Sequence, residues 1–254
     1  MQTSNNTILI TGGATGIGLA LAVEFLDKGN EVIICGRREN ALNEAKAKYP
    51  KLHVRQADLS NIDDRKSLAN WTTQNFPKLN ILVNNAGIQR EFLLDDKNVA
   101  DKFENENEIE INLTAPIHLT MLLLPQLKQK QNSAIINISS GLSYVPISIM
   151  PVYCATKSAL HSFTKSLRYQ LRNDNIKVFE VSPPVVDTAL DNGARDERGQ
   201  TNKGLKPEVV AIETLKGLRS DNYNIAVGQV KILRIVSRII PTIIFQILNG
   251  KVKR

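Results

Sequence analysis

Cysteine is nearly absent: the 254-residue chain has two, Cys35 and Cys154. That excludes the disulfide-rich secreted class, and each thiol reads as a small packed side chain rather than a redox centre. Tryptophan occurs once and histidine three times, and His53, His118 and His161 lack the spacing of metal ligands. No metal is expected. Packing is the preferred role for His161, although it shares a helix face with Tyr153, two turns away. No stretch of about twenty apolar residues is present and no signal peptide precedes the first strand, so a cytoplasmic location is expected. Internal repeats and an interdomain linker are also missing, so residues 1–254 are expected to form a single domain. The net charge is +7, but no aromatic platform or recognition motif accompanies it, which argues against nucleic-acid binding.

What is present alternates. Short segments near residues 7–11, 31–35, 52–57, 80–84, 134–139, 176–181 and 223–227 read as strands, with helical patterns between most of them. That order predicts an α/β fold: a doubly wound, Rossmann-like parallel sheet of about seven strands with helices on both faces. Ligands of such sheets bind beyond the C-terminal ends of the strands, and Thr11, Gly36, Asp58, Asn84 and Ser140 all fall there. After the first run, Gly12, Gly16 and Gly18 form a Gly-x-x-x-Gly-x-Gly turn that opens a helix. Glycines, backbone N–H groups and the helix dipole make such a turn a phosphate site. The second run ends in Gly36, Arg37 and Arg38. An acid at position 36 would hold a ribose 2′-hydroxyl, whereas arginine accommodates a 2′-phosphate, so NADP is expected over NAD.

Ser140 closes the apolar run that begins at Ala134, and Tyr153 and Lys157 follow at i and i+4, on one face of a helix. An ammonium beside a phenol favours the phenolate and lowers a pKa that is ordinarily near ~10. Such a tyrosine can give a proton to a carbonyl oxygen or take one from an alcohol. Alone, the pair recurs by chance in many helices. Behind a dinucleotide turn it points to hydride-transfer chemistry.

Together with Asn84 to Gly87 and Asn112, these motifs stand in the order and spacing of the short-chain dehydrogenases/reductases, which the chain resembles over residues 6 to 228. Asn30 to Arg37, Tyr153 to His161 and Pro183 to Thr188 are similar, more narrowly, to the bacterial DltE-type branch. The resemblance implies an NADP(H)-dependent oxidoreductase acting on a small-molecule carbonyl or secondary alcohol, as a homodimer or homotetramer. It implies catalytic roles for Ser140, Tyr153, Lys157 and Asn112. Ser140 would orient the substrate oxygen and Tyr153 would be the general acid/base. Lys157 would also hold the nicotinamide ribose, and Asn112 would hold a water in a proton relay through Lys157. Cofactor contacts are implied at Gly12, Thr15, Gly16, Ile17, Gly18, Arg37, Asp58, Leu59, Asn85, Ala86, Gly87, Tyr153, Lys157, Pro183, Val186 and Thr188. One departure is Pro184, where the family carries glycine; the second proline removes a backbone N–H.

Two segments stay open. Residues 189–206 are polar and glycine-spaced, and read either as a lid over the nicotinamide or as plain surface. The segment at about 229–254 is basic and apolar: Lys231, Arg234, Arg238, Lys251, Lys253 and Arg254 occur with no acid. Lys231, Arg234 and Arg238 follow one helix face, with Ile232, Leu233, Val236, Ile239 and Ile240 largely elsewhere around it. That arrangement suits an anionic membrane surface, or a helix packed on its own domain or a sister subunit with its charges in water. Packing is the reading taken, over peripheral membrane contact. Two rival functions remain beside the enzyme: a catalytically quiet nucleotide-binding regulator, and a cell-envelope accessory protein with a membrane-surface C-terminus. Intact Ser140, Tyr153 and Lys157 weigh against the first.

Overall fold

Each segment expected as a strand is one, to within one residue at either end. The strands are β1 (Thr7–Thr11), β2 (Glu31–Gly36), β3 (His53–Gln56), β4 (Leu79–Asn84), β5 (Ser133–Ile138), β6 (Ile176–Ser182) and β7 (Asn224–Ala226). They form one sheet in the order β3-β2-β1-β4-β5-β6-β7, and all its pairings are parallel. The computed structural model describes residues 1–97, 99–105, 108–188, 190 and 204–250. The lid expected in 189–206 lies mostly outside the described residues, as do Lys251, Lys253 and Arg254.

Parallel sheets need both faces covered, because crossover helices lie on each. Side chains alternate accordingly. Ile8, Ile10, Val32, Ile34, Ile136 and Val181 enter one core with α1 (Gly16–Asp27), α2 (Glu39–Lys48) and α7 (Pro207–Arg219). Leu9, Ile33, Cys35, Leu82, Ile135 and Val178 enter the other, with α3 (Ile62–Asn75), α5 (Ala115–Lys128) and α6 (Pro151–Gln170). Cys35 is a packed thiol, as expected; burial pushes its pKa up to about 12.

The chain enters the sheet at β1, runs out to β3, and returns to β4 on the other side of β1. That reversal opens a crevice beyond the C-terminal ends of β1 and β4, where ligands of doubly wound sheets bind. Thr11 ties the two ends together. Its hydroxyl accepts the backbone N–H groups of Asn85 at 2.9 Å and Ala86 at 3.0 Å, and donates to the Val83 carbonyl at 3.3 Å.

Two prolines fall in α5 (Ala115–Lys128). Pro116 lies in the first turn of α5, directly after a π-helical turn at Glu110–Thr114. Pro125 sits inside α5, and the carbonyl it deprives of a donor is that of Met121, an exposed residue on the solvent side. Beyond β7 the chain adds α8 (Val230–Ile239) and α9 (Pro241–Asn249); α4 (Val99–Asn105) lies between β4 and the π turn.

Candidate active site

A cleft of about 1320 Å³ opens at the crevice. Gly12, Thr15, Gly16 and Ile17 line one end of it, with Arg37, Arg38, Asp58 and Leu59 beside them. Gly12 has a φ of +62°, a conformation that costs glycine little, and a Cβ there would press on the Cα of Ala86. The side-chain amide of Asn85 holds the turn by donating to the carbonyls of Thr11 at 2.9 Å and Gly12 at 3.1 Å. Thr15 is the residue before α1, but its hydroxyl caps no helix N–H, and the first turn carries no acid. The helix therefore presents uncapped donors and the positive end of its dipole to the cleft, which suits a pyrophosphate. Arg38 donates to the Thr15 hydroxyl at 3.4 Å, so a guanidinium also borders that end.

At the other end stand Ser140, Tyr153 and Lys157, all lining the cleft. Ser140 is held by its neighbours: Ser139 donates its N–H to the Val181 carbonyl at 2.8 Å and Gly141 to that of Pro183 at 2.9 Å. Its hydroxyl oxygen accepts the Leu142 N–H at 3.1 Å, which leaves the hydroxyl proton for another acceptor. Helix α6 carries Tyr153 and Lys157 one turn apart, and the lysine Nζ lies 5.7 Å from the centre of the tyrosine ring. Lys157 is buried and donates to the Ile138 carbonyl at 3.1 Å. Burial pulls its pKa down to about 8, while the charge of Glu108 acts in the opposite direction. Gly87 lies against both Lys157 and Asn112: a Cβ on it would sit 3.4 Å from Nζ and 3.2 Å from the asparagine Oδ1.

Asn112 does not line the cleft, and its side chain is fully engaged. Its Oδ1 accepts the Ile88 N–H at 2.8 Å, and its Nδ2 donates to the Ile88 carbonyl at 2.8 Å and the Thr156 hydroxyl at 3.2 Å. It clamps the strand exit rather than offering an amide to water. Its main-chain carbonyl differs: the residue four positions on is Pro116, which has no N–H to close an α-helical bond. One helical turn before Asn112, the buried Glu108 accepts the Arg90 N–H at 3.0 Å. Burial raises its pKa to about 7, against the opposing influence of Arg90 and Lys157. The sequence gives no cue to this residue, because an acid within Glu104 to Glu110 looks like part of a solvated run.

Of the other candidate residues, Asn85, Ala86, Gly87, Pro183, Val186 and Thr188 line the cleft. Gly18 does not; it packs the turn, since a Cβ there would run into the Gly12 carbonyl. Asn84, at the C-terminal end of β4, turns into the protein and donates to Asn137 Oδ1 at 2.8 Å. Pro184 lines the cleft and is accommodated without a cis bond. His161 packs away from the cleft, as preferred. It lies 2.7 Å from Glu180, whose burial raises its pKa but whose bonds from His161 and Ser139 outweigh that and hold it low.

The C-terminal helices were missed as part of the site. Val230, Ile232, Leu233 and Val236 of α8 and Ile244 and Leu248 of α9 line the cleft together with Leu142, Ile147 and Met150. Gly141 makes this possible, because a Cβ there would crowd Val230. The faces of α8 also divide differently from expectation. Lys231 pairs with Glu213 at 2.9 Å and Arg234 donates inward to the Asn224 carbonyl at 3.0 Å, whereas Ile232 is exposed at the cleft and Ile239 is exposed away from it.

A doubly wound sheet with an anion-binding turn at its crevice and a serine, tyrosine and lysine at one end of the cleft defines a class of dinucleotide-fold enzymes. Residues 6–199 match the family model for short chain dehydrogenase. The chain is 44% identical over 249 residues to the uncharacterized oxidoreductase DltE of Bacillus subtilis (strain 168), covering 98% of each. It is 34% identical over 194 residues to a tropinone reductase homolog of Datura stramonium, covering 72% of this chain and 69% of that one. The chain belongs to the short-chain dehydrogenase family of oxidoreductases. Two solved structures share the fold. A short chain dehydrogenase from Burkholderia cenocepacia J2315 in complex with NADP has a TM-score of 0.82 at 21% identity, covering 98% of this chain and 99% of that chain. A short chain dehydrogenase/reductase from Burkholderia phymatum in complex with NAD has 0.83 at 20% identity, covering 100% and 99%.

Proposed function

We propose that the protein is an NADP(H)-dependent oxidoreductase that interconverts a carbonyl and a secondary alcohol, with Tyr153 as the general acid/base. The observation that carries this reading is the buried Lys157 ammonium, fixed by the Ile138 carbonyl one helical turn from Tyr153 at the edge of the cleft. The uncapped α1 turn and the guanidinium-lined end fit a dinucleotide that carries a 2′-phosphate. Arg37 and Arg38 would meet that phosphate, and position 36 is glycine rather than the acid a bare ribose requires. A bound nicotinamide would supply the hydride.

In the reducing direction, Ser140 donates its hydroxyl proton as a hydrogen bond to the substrate oxygen and fixes its position. Tyr153 transfers a proton to that oxygen as the carbon gains the hydride. Lys157 holds positive charge beside the phenol and favours the phenolate that remains. The Asn112 carbonyl, left by Pro116 without an α-helical donor, is the acceptor that would hold the relay water. Leu142, Ile147, Met150, Leu233 and Val236 make the substrate end apolar, so the group beside the reacting carbon is expected to be apolar as well.

The test is NADPH consumption over a panel of carbonyl compounds. Tyr153→Phe should bind NADPH with nearly unchanged affinity and lose about two orders of magnitude or more in turnover. Full activity in that variant on a verified substrate would refute the assignment.

A further inference from the structure

Seven of the eighteen large hydrophobic side chains exposed among the described residues fall between 232 and 247, six on α8 and α9 and one, Ile240, at their junction. Singly scattered exposed hydrophobics need no explanation, but a concentration of this kind marks an interaction surface. The two helices have an inner and an outer side. Leu233, Val236, Ile244 and Leu248 face the cleft, while Ile235, Ile239, Ile243, Phe245 and Ile247 face out, and α9 has no buried residue at all. The outer side is held in place rather than loose. Asn249 accepts the Ser148 N–H at 2.6 Å and donates to the Pro146 carbonyl at 3.1 Å, so the far end of α9 is latched to the rim of the cleft.

We propose that the outer face of α8 and α9 docks on an anionic lipid bilayer. Charge selects this occupant. From Asn222 to Arg254 the chain has six basic residues and no acid. Lys231 and Arg234 are engaged with the body, but Arg238 projects beside Ile235 and Ile239 with more than a third of its surface exposed. An apolar stripe with a cation at its edge is what an interfacial helix presents to acidic headgroups. A second copy of the chain fits less well. A two-fold contact sets the same patch against itself, and residues 222–254 hold no acid to receive the copy's Arg238.

The experiment is co-flotation of the full-length protein with phosphatidylcholine vesicles, with and without phosphatidylglycerol, at low and high salt. Binding should require the anionic lipid and weaken with salt. Arg238→Glu should weaken it at least about fivefold, through one lost cation and one added anion. The pair Ile235→Ser and Ile239→Ser should weaken it by more than about tenfold, through lost apolar burial. None of these side chains lines the cleft, so NADPH binding and the thermal transition of the variants should match the parent and exclude misfolding. Absence of binding to anionic vesicles overturns the proposal. So does equal binding to neutral ones, or a serine pair that changes the oligomeric mass while vesicle binding stays unaltered.

Discussion

Replacing Glu108 by glutamine isolates one electrostatic link without changing the shape of the site. The amide oxygen can still accept the Arg90 N–H, which the carboxylate accepts at 3.0 Å. What is lost is the anion that raises the pKa of Lys157. In the parent protein burial brings Lys157 down to about 8 and Glu108 opposes that fall. With Glu108 itself raised to about 7, both groups carry their charges between those two values. Removing a partially buried charge of this kind moves a neighbour by about one unit, so at pH 7.5 the protonated fraction of Lys157 drops from about three quarters to about one quarter. At pH 6 both proteins keep Lys157 charged, to within about a tenth.

The expected result is therefore a shift of the alkaline limb, not a uniform loss. The pH profile of kcat/KM for carbonyl reduction should fall near pH 8 in the parent and about one unit lower in Glu108→Gln, with convergence on the acid side. NADPH affinity, followed by fluorescence, should show the same displacement, because Lys157 is proposed to hold the ribose. Glu108→Asp keeps the charge and should restore the limb toward the parental position. An unchanged limb, or a loss equal at every pH, would refute the electrostatic link and leave Glu108 a purely structural support. Stability carries an independent sign. Between the ordinary carboxylate range and about 7 the folded state keeps a proton on Glu108 that the unfolded chain has released. Stability contributed by this group therefore falls as pH rises through that window, and urea denaturation should show Glu108→Gln free of that decline.

Arg37→Glu should erase or reverse a preference for NADPH over NADH, by loss of a charge-assisted contact and gain of repulsion; equal affinities in the parent, measured by titration, would sink the cofactor assignment. Gly18→Ala should destabilise the fold by about 1–3 kcal/mol, since its methyl meets the Gly12 carbonyl, and should weaken NADPH binding by shifting the turn; an unchanged denaturation midpoint would contradict the packing.

The inner strands were legible because parallel strands are buried on both faces and read as apolar runs, whereas the edge strand β3, His-Val-Arg-Gln, is half-exposed. The cleft was legible where chemistry depends on local spacing, as in the Gly12 to Gly18 turn and the Tyr153–Lys157 helix face. Legibility ended where a side chain's role is set by residues distant in sequence. Asn112 is a clamp because Ile88 and Thr156 lie beside it, 24 and 44 positions away. Nothing local separates Asn84, which turns inward, from Asn85, which holds the glycine turn. Glu108 and Glu110 stand two apart in one acidic run. Yet Glu110 pairs with Arg65 on α3, at 2.6 Å, while Glu108 lies buried within reach of Lys157.

The C-terminal helices were ambiguous in sequence for a physical reason. A helix that packs on one side shows a single apolar stripe. In α8 the apolar residues Val230, Ile232, Leu233, Ile235, Val236 and Ile239 span more than one stripe, so periodicity alone cannot say which belongs to the core. The structure divides them: Val230 is buried, Ile232, Leu233 and Val236 border the cleft, and Ile235 and Ile239 lie exposed outside it. The alternatives of packing and surface contact are thus not exclusive, because one helix carries a face for each. A wall only one helix thick, apolar within and without, also couples the two. Whatever covers the outer face bears on the helices that shape the substrate end, so occupancy outside should alter apparent substrate affinity more than the affinity for NADPH at the distant glycine turn.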